Sequence, residues 1–128
     1  MPDLPEYYFR VRENGAFVFR VDTANQLKRI EMDQIAAVNV KNGEIKAHGD
    51  RSLSEADLTA IRSWLDDRRT LLAQRDIDDI LRTVDHLNLT AQWVQTKATE
   101  ADLDQVADAL LMAMHDLRSV IVRRLAGG

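Results

Sequence analysis

Between Ser52 and Ala126 the chain contains neither glycine nor proline, although five glycines and two prolines occur in its 128 residues. Over that stretch the apolar residues recur every three or four positions, whereas before it they alternate. A period near 3.5 without a breaker specifies helix, and a period of two specifies strand. The expected fold is therefore α+β: an antiparallel β-meander of about four strands in residues 1–51, followed by three helices in residues 52–126. The segment Gly49-Asp50-Arg51 is too short for a linker, so both parts are expected to form one domain around a shared core. With 45% apolar residues the chain is able to fill such a core.

Two Asn-Gly pairs punctuate the strands. Tyr7–Arg12 and Ala16–Val21 flank Glu13-Asn14-Gly15. A three-residue loop there pairs Phe9 with Phe19 and Val11 with Phe17, and keeps apolar partners on one face. Gly15 then takes the left-handed position of a bulge. At Asn42-Gly43 a two-residue turn pairs Val40 with Ile45 and Val38 with Ala47. The strands there run from about Ile35 to Lys41 and from Glu44 to His48. Between the hairpins, Asp22-Thr23-Ala24-Asn25 reads as a turn and Lys28–Met32 as a strand, while Asp33–Ala37 is either strand or a single helical turn.

In the helical part, Ser52-Leu53-Ser54-Glu55 fits a capping box, and Leu58, Ile61, Leu65 and Leu72 form the first stripe. The stripe then loses phase, and Asp76 with Asp79 offers a fresh cap, so a second helix is expected from about Ile77. Its seam is Ile77, Ile80, Val84, Leu87, Ala91, Val94 and Ala98. Thr99 with Asp102 caps a third helix, whose seam is Leu103, Ala107, Leu110, Met114, Leu117 and Ile121. The short Lys97-Ala98-Thr99 link makes these two helices an antiparallel hairpin with heptad spacing.

Composition removes several chemistries. Without cysteine there are no disulfides, thiolate metal sites or cysteine nucleophiles. The net charge of −4 supplies no global field for a phosphate backbone. No phosphate-binding loop, dinucleotide fingerprint, G-x-S-x-G elbow or H-E-x-x-H helix occurs. No stretch has the roughly 18 apolar residues of a membrane span, and Met1 to Glu6 lacks the basic and apolar regions of a signal peptide. The expected location is the cytoplasm, and no cofactor is expected.

Asp85-His86 and His115-Asp116 place imidazoles beside carboxylates, but adjacent helical residues diverge by about 100°. Neither dipeptide forms a His–carboxylate pair alone, and both histidines fall off the seams. His115-Asp116 resembles the signature dipeptide of the HD-type metal phosphohydrolases. The resemblance covers two residues, and no aspartate follows where that pattern needs one. His48, in the loop after the last strand, is accounted for by solvated turn chemistry.

The expected register gathers Tyr8, Arg10, Arg12, Val18 and Arg20 on the outward face of the first hairpin. Arginines beside an aromatic side chain suit an acidic protein partner or stacked nucleic acid bases. The third helix is apolar beyond its seam, at Leu111, Met112, Val120, Val122 and Leu125, and Trp64 and Trp93 each sit one position off a stripe. These features point to a non-enzymatic interaction or regulatory module. The expected assembly is a homodimer built through the hairpin, with partner-binding residues Tyr8, Arg10, Arg12, Arg20, Trp93, Met112 and Leu125. The alternatives are an enzyme or metal-binding protein using His86, His115 and nearby aspartates, and RNA or single-stranded DNA binding on the Tyr8/Arg10/Arg12/Arg20 face.

Overall fold

A computed structural model describes residues 4–22 and 30–127. The chain is α+β. Strands β1 (Tyr7–Arg12), β2 (Gly15–Asp22), β3 (Glu31–Asn39) and β4 (Ile45–Ala47) form one antiparallel sheet in sequential order. Helices α1 (Glu55–Thr96) and α2 (Glu100–Leu125) follow. Among the described residues there are two helices, not three. The stripe changes phase near Ile77, but the backbone is not interrupted there, and α1 runs through it as one helix of 42 residues. The chain nevertheless forms two compact units, residues 1–77 and 78–128. The phase change thus marks where α1 passes from one packing environment to another.

The first hairpin adopts a register that differs by one residue from the expected one. Phe9 lies opposite Val18, Arg10 opposite Phe17 and Arg12 opposite Gly15, with Glu13-Asn14 as the turn. Gly15 is a strand residue rather than a left-handed turn residue. A Cβ added there would lie 1.8 Å from the Val38 carbonyl oxygen, so only glycine lets β2 pass β3 at this point. The slip turns Val18 to the α1 side of the sheet and Phe17 and Phe19 to the other.

The second hairpin differs by two residues, which preserves the faces. Val38 pairs with Ile45 and Ala36 with Ala47. The Asn39 side chain accepts from the backbone N–H of Lys41 and of Asn42, and the Asn42 side chain accepts from that of Glu44. These bonds stabilise a loop longer than two residues, with Gly43 at φ 75°. Residues 33–37 are strand rather than a helical turn and belong to β3. The register of β3 against β2 shifts at Val18/Phe19 and leaves Ile35 without a direct partner, so Ile35 and Ala36 both enter the core. The expected turn at 22–25 lies outside the described residues except for Asp22, which ends β2. Of the expected strand at 28–32, Lys28 and Arg29 lie outside the described residues, while Glu31 and Met32 open β3 rather than form a strand of their own.

The core consists of Ala16, Val18, Ile35, Ala36, Val38, Ile61 and Leu65. It joins the sheet to the first part of α1, and no residue of α2 is buried. Phe9 stacks on Trp64 with ring centroids 5.0 Å apart and planes within 3°. Trp64 is therefore edge packing of this core.

Candidate interaction surfaces

The geometry of the first unit follows from where α1 begins. Its capping box is Ser54 with Asp57, two residues later than the expected Ser52/Glu55 box. The Asp57 N–H donates to the Ser54 hydroxyl, and the Ser54 N–H donates to Asp57 Oδ2, each over 3.0 Å. The other carboxylate oxygen of Asp57 accepts the Tyr7 hydroxyl and the Arg20 guanidinium, both at 2.6 Å. Asp57 is 2% exposed. Burial pushes its carboxyl upward, but the bonds from Tyr7, the Ser54 backbone and Arg20 outweigh it and hold the group below the usual carboxylate range. Just over three turns along, the Arg69 guanidinium donates to the Val40 carbonyl at 2.9 Å. Asp57, Ile61, Leu65 and Arg69 are spaced by four, so one line of α1 is held at both ends of the sheet.

This clamp decides what remains on the opposite sheet face. Arg20 is on the α1 side, paired with Asp57, and Val18 is in the core, so neither joins the expected outward cluster. Tyr8, Arg10 and Arg12 do share the outward face, with Phe17 and Phe19 as neighbours. The Arg10 guanidinium lies 4.5 Å from the Phe19 ring centroid and that of Arg12 lies 5.0 Å from the Phe17 centroid. Tyr8 and Phe19 have centroids 6.2 Å apart. This explains how Phe19 is buried on a face away from the core. Beside Arg12 and Phe17 lies a hollow of about 360 Å³, also lined by Ala37, Asn39, Glu44 and Lys46. Sequence reasoning missed the two phenylalanines because it placed them on the other face.

The second unit contains the helical hairpin. Thr99 caps α2 as expected: its side chain accepts from the Asp102 N–H, and the Asp102 carboxylate accepts from the Thr99 N–H. A groove of about 370 Å³ runs between the helices. The expected seam residues Leu87, Ala91 and Val94 line it from α1 and Leu103, Ala107, Leu110 and Met114 from α2, and Thr90, Gln95, Val106 and Leu111, off the seam, line it too. Farther from the bend the seam is open: Ile80 is 61% exposed, Val84 48%, Leu117 53% and Ile121 48%. Outside the seam, Met112 and Leu125 are 70% and 82% exposed, and Trp93 is half-buried near the bend.

His86 and His115 are both exposed, and neither lines the groove between the helices. His115 borders a surface hollow with Arg118, Ser119, Val122 and Arg123. Among the described residues no group of three or more histidines, aspartates and glutamates is placed to hold a metal ion. No helix of the described residues is long and apolar enough to cross a membrane. No protein family matches the sequence, and no curated protein or solved structure matches it.

Proposed function

We propose that the chain is a non-enzymatic interaction module that assembles as a homodimer through its helical hairpin. The observation that carries this reading is the exposure of α2: 26 residues long, more than half of them apolar, with none buried. A helix in a protein draws most of its stability from packing an apolar face. Here Met114, Leu117 and Ile121 of the seam are about half exposed, and Leu111, Met112 and Leu125 beyond it are more exposed still. Exposed apolar side chains in this number along one helix support an interaction surface. Pairing two hairpins into a four-helix arrangement covers it without any new element, and two-fold dimers are the commonest soluble oligomers. In this reading Trp93, Met112 and Leu125 contribute to the interface.

The sheet face serves as a second surface, with Tyr8, Arg10 and Arg12 presented to an acidic protein partner. The two arginines are pre-positioned on phenylalanine rings, which reduces the ordering cost of a contact. Light scattering at micromolar concentration tests the assembly. A mass twice 14.6 kDa is expected, and a mass of 14.6 kDa would overturn the reading.

A further inference from the structure

The charges of α2 are segregated. Glu100, Asp102, Asp104 and Asp108 occupy its first nine residues with no basic group among them. Arg118, Arg123 and Arg124 occupy the last eight, where no acid occurs. Between the blocks, Ala109 to Met114 are all uncharged, and Asp116 is the single acid that precedes the basic block. One flank of α2 also carries a hollow of about 470 Å³, and every residue lining it belongs to α2: Leu111, Met114, His115, Arg118, Ile121 and Val122. No other described element lines that hollow.

Seven residues make nearly two full turns, so Asp104, Leu111, Arg118 and Leu125 follow a single line along this flank. The line reads acid, apolar, base, apolar. A two-fold axis through Leu111 brings each Asp104 level with Arg118 of the other copy, and sets Leu111 against Leu111. Packing the same flanks parallel and in register instead sets Asp104 against Asp104 and Arg118 against Arg118. Like charges across a helix interface are unfavourable, and such pairs fix orientation more than they add affinity.

We infer that α2 packs antiparallel against α2 of a second copy, about a two-fold axis near Leu111, with Asp104 of each chain facing Arg118 of the other. Leu111, Met114 and Val122 supply the apolar contact, and the two charge pairs select the direction and register. The inference rests on the self-association proposed above and adds its geometry.

The chain lacks cysteine, so single-cysteine variants of the full protein report this geometry through disulfide cross-linking. Leu111→Cys is expected to give a band at twice 14.6 kDa on a non-reducing gel. Val122→Cys alone should give none, because the two copies of that position are about 33 Å apart along the helix, far beyond disulfide reach. Mixing Val122→Cys with Glu100→Cys should restore the band, since the two positions are equidistant from the axis on opposite sides. Self-linking by Val122→Cys would show a parallel pair, and no linking by Leu111→Cys would show that the flank is not the interface. Either result overturns the inference while a doubled mass in light scattering leaves the self-association standing. A mass of 14.6 kDa would end both, leaving the flank to a different protein or to another part of this chain.

Discussion

The Tyr7 hydroxyl donates to Asp57 Oδ1 over 2.6 Å, joining an edge strand to the first turn of a helix fifty residues away. Arg20, on the neighbouring strand, reaches the same oxygen. Asp57 is thus a cap for α1 and a clamp for two strands. Asp57→Asn keeps the shape but presents an amide that lacks the charge Arg20 needs. Loss of one member of a buried ionic network costs about 3–5 kcal/mol. Arg20 is 52% exposed and regains water, so the expected loss is lower, about 2–4 kcal/mol. Urea unfolding followed by circular dichroism measures it, and a loss under about 0.5 kcal/mol would place Asp57 among ordinary surface positions.

The same cluster predicts how stability responds to pH. The Asp57 carboxyl is held below its ordinary range in the folded chain, so its contribution is complete above the unfolded value of about 3.9 and is lost as pH falls. Hydrogen bonding to Asp57 raises the Tyr7 phenol above its ordinary value of 10.0. That contribution is complete below about pH 10 and is lost as pH rises through the folded value. Tyr7→Phe should remove this part of the alkaline loss and leave an acid loss, whereas Asp57→Asn should flatten both relative to the unaltered chain. Unfolding free energies measured across pH for the three proteins provide the comparison.

Gly15 and Gly49 should differ in the cost of adding a methyl group. At Gly15 the Cβ meets the Val38 carbonyl oxygen at 1.8 Å, so Gly15→Ala has to push β2 away from β3 next to Ala16 and Val38 of the core. At Gly49 nothing lies within 4 Å, and only the backbone, at φ 60°, opposes alanine. A left-handed alanine costs roughly 1–2 kcal/mol. Gly15→Ala should exceed that, with a loss above about 2 kcal/mol in the same unfolding measurement.

The α+β class, the four strands and the helical character of the chain after Ser52 were readable from periodicity, though not the number of helices, and the cap at Thr99 was readable too, because these depend on neighbours in sequence. Register was not. The pairing of Phe9 with Phe19 assumed that large apolar groups of β2 all seek one face. In the structure Val18 faces α1 while Phe17 and Phe19 are covered from the other side by Arg12 and Arg10. The role of Gly15 depends on β3, and that of Asp57 on β1 and β2, so neither was visible locally. At Ile77 the loss of phase was real, but it reflects a change in what α1 packs against rather than an end to its hydrogen bonding. Of the outward cluster, Tyr8, Arg10 and Arg12 were legible from alternation along β1 alone. Arg20 was misplaced because its face depends on the turn.

Removing the outward arginines should leave the fold largely intact. Exposed cation–π contacts are worth about 0.5–1 kcal/mol each, so Arg10→Ala and Arg12→Ala should each cost no more than about 1 kcal/mol. Arg20→Ala should cost more, because it leaves the buried Asp57 carboxylate without its cationic partner. Equal losses at Arg10 and Arg20 in thermal unfolding would contradict the division of these residues between two sheet faces.

The state of the hairpin should depend on protein concentration. If a second copy completes the seam, folding is coupled to association by mass action, and the helical melting temperature rises as the chain is concentrated. Leu117 separates this from a hairpin completed within one chain. It is 53% exposed, so Leu117→Asp removes little burial from a single chain. Within an assembled interface the same change buries an unpaired carboxylate, which costs several kcal/mol and prevents association. The expected result is a melting temperature that climbs with concentration in the unaltered protein and stays flat in Leu117→Asp. Flat behaviour in both, with equal melting temperatures, would show that the exposed seam of one chain is stable without a partner.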